Sequence, residues 1–124
     1  MNTQRGEVKI EVDGVEYNLL PSFEALNHIE NLTGRGAYAL PFIFTGSPPT
    51  ARLKDIAAVV YACHWHTSQA KRASDLPWSF TRLEKLIYEQ GFFKMASACA
   101  ELVSAMTIGA VDGDDSKNSQ PASE

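Results

Sequence analysis

Asp13-Gly14 sits between two stretches in which apolar residues take every second place: Val8, Ile10 and Val12 before it, Val15, Tyr17 and Leu19 after it. Period two is the repeat of a strand with one buried face. Asp-Gly suits a two-residue type I′ turn, because both central residues of that turn take positive φ. With this turn Val12 faces Val15, Ile10 faces Tyr17 and Val8 faces Leu19, so all six apolar side chains share one face. A slip of one residue would expose the whole set, so pattern and turn specify the same register. The chain is thereby committed to an antiparallel hairpin over residues 7–20. A lone hairpin is marginal in water, so its apolar face must rest on other elements.

Pro21 ends the second strand, and Ser22 is placed to cap a helix by accepting a first-turn N–H. Phe23, Ala25, Leu26, Ile29 and Leu32 repeat at helical spacing up to Gly34, a residue type that closes helices. This helix, over residues 22–33, is the expected cover of the hairpin. From Ala37 to Leu40 one helical turn is possible. Pro41 either stops it or opens a new turn, Phe42, Ile43 and Phe44 form an apolar knot, and Gly46 to Pro49 make a loop. Thr50 is the expected cap of a helix over 50–66, with Leu53, Ile56, Ala57 and Val60 along its apolar side. Trp78 and Leu83 bracket Ser79 at hydrophobic-staple spacing, which predicts a helix over 79–90 that breaks at Gly91. Met95, Cys99, Leu102, Val103 and Met106 stripe a last helix over 92–108. Its small residues Ala96 to Ala100 suit close packing, within the chain or against a second subunit.

Residues 111–124 have no periodicity and almost no apolar content, which predicts a disordered acidic tail. The expected architecture is α+β: one globular domain over residues 1–110, an N-terminal β-hairpin packed on a bundle of about four helices, followed by that tail.

Charge narrows the function classes. The chain carries 11 basic against 15 acidic residues, a net of -4. The tail accounts for most of it, with Asp112, Asp114, Asp115 and Glu124 against Lys117. Nothing resembles the basic field that displaces counterions from nucleic acid. There is no run of about 18 apolar residues to span a membrane, and "MNTQRGE" has no apolar signal core. A cytoplasmic location and two reduced, buried thiols at Cys63 and Cys99 are therefore expected.

Chemistry-bearing clusters are few. "CHWH" at Cys63 to His66 places Cys63 and His66 three apart on a helix, but two ligands do not make a stable zinc site. A Cys–His nucleophile pair there lacks an orienting third member and an oxyanion hole. His28 falls on the polar side of its helix and reads as solvent-exposed. "TGRGAY" follows a helix, whereas a phosphate cradle leads from a strand into one. No catalytic residue, metal ligand or cofactor is expected. The remaining candidate is a partner surface at Arg35, Tyr38, Phe42 and Phe44, aromatics flanked by glycine and proline with a cation at the rim. Packing of the same aromatics in the core is the plainer alternative.

Taken in order, Arg5-Gly6-Glu7-Val8, Asp13-Gly14, Phe23, Ala25-Leu26, Ile29-Glu30 and Thr33-Gly34 form a pattern that resembles the gene-transfer-agent group of tail proteins from long-tailed phages and prophages. Leu53 to Ala62, "LKDIAAVVYA", is similar to the segment that follows in that group. The likeness covers residues 5–62 well and is weaker from Thr67 to Gly109. The group is usually described as tail assembly chaperones, sometimes as tail tube proteins. The resemblance implies a non-enzymatic protein of the host cytoplasm during phage assembly. It would bind the tape measure protein, assist polymerisation of the major tail tube protein, self-associate in some cases and leave before the tail is complete. A longer frameshifted form is also implied. A structural tail protein retained in the virion is the alternative, disfavoured because a tube ring needs a large sheet and only two strands are expected.

Overall fold

A computed structural model describes residues 6–107. It shows an α+β fold: the hairpin β1 (Val8–Val12) and β2 (Val15–Leu19), then helices α1 (Phe23–Thr33), α2 (Leu40–Thr45), α3 (Leu53–Thr67), α4 (Phe80–Gln90) and α5 (Phe93–Thr107). One 3-10 turn, Ala73–Asp75, lies between α3 and α4. The expected acidic tail at 111–124 lies outside the described residues. No helix among the described residues is long and apolar enough to cross a membrane.

The strands pair in the expected register, with Val8 opposite Leu19, Ile10 opposite Tyr17 and Val12 opposite Val15. Asp13 and Gly14 both take positive φ, 54° and 80°, as a type I′ turn requires. Burial of the shared face is uneven. Val8, Ile10, Val12 and Leu19 are buried, Tyr17 is half-buried, and Val15 is 52% exposed. The turn end of β2 lacks cover because α3 meets this strand at Tyr17, through His64, and meets the chain just past its far end at Leu20, whose N–H donates to Thr67 Oγ1 at 3.0 Å.

The hairpin is not covered by α1, contrary to expectation. It rests on α3, α5 and α4, while α1 packs chiefly on α3. The reason lies in α3, where Asp55 to Cys63 are all buried. A helix apolar all round belongs in the middle, and the other elements surround it. Within α1, Ala25 and Ile29 are buried, whereas Phe23 at the first turn is 76% exposed. Its caps are as the sequence predicts: Ser22 Oγ accepts from Ala25 N–H at 3.0 Å, and Gly34 is left-handed at φ 74°.

Around α2 and α3 the structure decides one open choice and corrects one cap. Of the two roles left open for it, stopping a turn or opening one, Pro41 takes the second. It occupies the first turn of α2, where its missing N–H has no intrahelical acceptor to lose, and Leu40 beside it is fully buried. The cap of α3 is Arg52, not Thr50. Asp55 Oδ2 accepts from Arg52 N–H at 2.8 Å, while Thr50 and Ala51 donate their N–H groups to Ile43 O at 2.9 Å. Capping by an acidic side chain three residues into the helix outweighs a threonine two residues upstream. Among the described residues the bundle therefore holds five helices, α2 being the one not expected as an element. Around α4 the staple is present: Ser79 Oγ accepts from Arg82 N–H at 3.1 Å, with Trp78 and Leu83 both buried. Along α5, Met95, Cys99, Leu102 and Val103 are buried against α2, α3 and β1, while within the small-residue stripe Cys99 is buried, Ala96, Ala98 and Ala100 are partly buried against the core and Ser97 is exposed.

Candidate functional site

The segment after α1 is held by a carboxylate-centred frame. Glu30 O accepts from Gly34 N–H at 2.9 Å and Glu30 Oε2 from Ala37 N–H at 2.7 Å, which turns the chain sharply off the helix end. Asp55, at the start of α3, is fully buried. It receives Arg35 Nε at 3.1 Å, Arg52 Nη2 at 2.8 Å and Arg52 Nε at 3.0 Å. Burial pushes the Asp55 carboxyl up. The hydrogen bonds of Arg52 and Arg35, with the Arg35 charge, outweigh it and hold the group below the usual carboxylate range. Arg52 Nη2 also donates to Thr33 O at 3.3 Å, tying α1 to α3.

On this frame, hydrogen bonds from Ala39 and Leu40 back to Gly36 O begin a helical turn that runs into α2. Tyr38 and Phe42 are four residues apart on its outer side, 92% and 69% exposed. Leu40, Ile43 and Phe44 point the other way into the core. The four residues expected as a partner surface therefore divide. Tyr38 and Phe42 are presented together to solvent. Phe44, only 8% exposed, belongs to the core, because helical winding turns it inward from Phe42. Arg35 is not a free rim cation: its guanidinium is paired with Asp55.

The "CHWH" cluster is dispersed by the helix. Cys63 is buried, and burial pushes its thiol up to about 12, far from a thiolate at neutral pH. Cys99 is equally buried, its thiol also raised by burial and by Cys63, and its Sγ lies 3.6 Å from Ile56 O. His64 stacks edge-on with Tyr17 at 5.0 Å and lies 5.2 Å from Trp78, and burial lowers its pKa.

His66 faces His28, Nε2 to Nδ1 at 3.2 Å. His28 is thus not the exposed residue its helical position suggested. It packs edge-on against Trp65 at 5.3 Å, and burial followed by the neighbouring His66 lowers its pKa. No sequence signal points to this pair, since the partners are 38 residues apart and each lies outside its helix's apolar stripe. Among the described residues no three His, Cys, Asp or Glu side chains converge as metal ligands. Set against protein-family models, curated proteins and solved structures, the chain matches none.

Proposed function

We propose that this chain is a non-enzymatic protein-binding domain that serves as a phage tail assembly chaperone, holding the tape measure protein while the tail tube polymerises around it. The partner comes from the resemblance over residues 5–62. The observation that carries the binding surface is the pair Tyr38 and Phe42, exposed on an anchored helical turn. Exposed aromatics supply contact area with few rotatable bonds, and a fixed frame lowers the ordering cost of binding. A tape measure protein offers long amphipathic helices, a repeated client for such a small apolar anchor.

The test is single replacement. Tyr38→Ala and Phe42→Ala are expected to weaken co-purification with tape measure fragments by about 1–2 kcal/mol each, with the melting temperature near that of the parent. Phe44→Ala serves as the contrast and is expected to destabilise the fold by about 3–5 kcal/mol. Unchanged binding in both surface variants would refute the surface. Stoichiometric presence of the protein in purified virions would instead favour a structural tail protein.

A further inference from the structure

The two-residue turn determines which backbone groups of β1 face away from β2. Val12 and Val15 close the turn as a hydrogen-bonded pair, so Ile10 and Val8 also direct their N–H and C=O groups at β2. Those of Lys9 and Glu11 point to the free edge. The last residue of α4 marks this geometry: Gln90 Nε2 donates to Glu11 O at 2.7 Å, and Gln90 Oε1 accepts from Asp13 N–H at 3.1 Å. One side-chain amide thus occupies the acceptor of residue 11 and the donor of residue 13, as a residue of a parallel neighbouring strand would. One step back along β1, Lys9 C=O and Glu11 N–H form the same acceptor–donor pair. Among the described residues nothing bonds either group.

A groove of about 700 Å³ opens along this edge, between β1, the end of α4 and the start of α5. Leu86 and Met95 supply its apolar wall, and the charged groups lining it are Glu11, Asp13, Glu16 and Glu89 against Lys9 and Lys94. Four carboxylates against two ammonium groups leave a net of -2. We propose that this edge takes an extended polypeptide segment bearing lysine or arginine as a third strand beside β1. Main-chain pairing at Lys9 and Glu11 gives the contact, and the surplus carboxylates select a basic segment. Residues 111–124 of this chain carry a net of -3, the wrong sign for a groove that selects a basic segment. A second copy would set one acidic edge against another. Gln90 closes the turn end, so the main-chain pairing is short and the affinity modest. The inference stands apart from the chaperone reading, since it involves neither Tyr38 nor Phe42.

The experiment uses short synthetic peptides, fluorescently labelled: alternating lysine and valine, alternating glutamate and valine, and the lysine–valine peptide N-methylated at alternate amides. Anisotropy reports binding, and amide chemical shifts report its place. The lysine–valine peptide is expected to bind at least about tenfold more tightly than either control, with the largest shifts at Lys9 and Glu11. Glu11→Pro removes the outward donor while leaving the hairpin pairs in place, a substitution edge strands tolerate, and is expected to weaken binding about tenfold. Glu89→Lys, on α4 and away from the hairpin's own bonds, is expected to weaken the basic peptide and strengthen the acidic one, and it decides the matter if the proline variant does not fold. Equal binding of the N-methylated peptide would reduce the effect to charge alone and overturn the proposal. So would equal binding of the acidic peptide, or shifts that miss β1.

Discussion

His28 and His66 share one hydrogen between Nδ1 and Nε2 at 3.2 Å, and this arrangement requires at least one ring to stay neutral. Burial, then His66, lowers the His28 pKa, and burial lowers that of His64. A histidine with a depressed folded pKa is protonated more readily in the unfolded chain. Its contribution to stability is therefore present above the unfolded value of about 6.5 and lost as pH falls through it. The melting temperature is expected to fall as pH drops below about 7, and to go on falling until the lowered folded values of His28 and His64 are passed. In His28→Gln the fall should be shallower but not absent, because His64 acts with the same sign. An identical slope in that variant would remove the pair as the cause. Asp55 titrates in a lower window: its carboxyl is held down, so its contribution is lost only in acid. Asp55→Ala removes the frame that joins Arg35, Arg52 and the first turn of α3, and chemical denaturation should show a loss of about 2–3 kcal/mol. The sequence does not reveal the His28–His66 pair or the Arg35–Asp55 contact, because each joins segments far apart in the chain, whereas the Arg52–Asp55 part of the frame is local to the start of α3.

At the scale of elements, local chemistry is legible where capping and periodicity agree. The hairpin, α1, α4 and α5 follow from Asp13-Gly14, Ser22, Gly34, Ser79 and Gly91 with boundaries off by about one residue. The segment around α2 is not legible, because Pro41 both ends helices and begins them, and the choice rests on burying Leu40 and Ile43 against α5. Gln90 shows the same limit. Exposed at the end of α4, it nevertheless holds the end of β1 through its amide, a contact no local pattern marks. Gln90→Ala is expected to cost about 1 kcal/mol and to speed hydrogen exchange at the Asp13 amide. Unchanged exchange there would mean the amide does not restrain the edge.

For the molecule as a whole, α3 is the organiser. It touches α1, α4, α5 and β2, and it carries Cys63 in its buried run. Both thiols are fully buried, so a thiol reagent reaches them only when the core opens. At about pH 8 the native protein is expected to react at neither cysteine, and the denaturant-unfolded protein at both. Fast labelling of Cys63 in the native protein would contradict the packing around α3 and reopen the nucleophile reading. Which side chains of the candidate partner segment are exposed was not readable from sequence. Aromatics near glycine and proline marked the segment, but only the winding of α2 separates exposed Tyr38 and Phe42 from buried Phe44.

The sequence by itself determined the hairpin and its register, because period two and a positive-φ turn are local properties of neighbouring residues. It determined most helices for the same reason, since caps and apolar stripes act within a few turns. The tertiary structure alone decided which helix lies under the hairpin, since α1 and α3 both offer apolar faces and only the all-round burial of α3 excludes it from the surface. It alone brought His28 to His66, Arg35 to Asp55 and Gln90 to the edge of β1. Those contacts join residues about 20 to 79 positions apart, and such meetings are set by how whole elements pack, which no local pattern encodes.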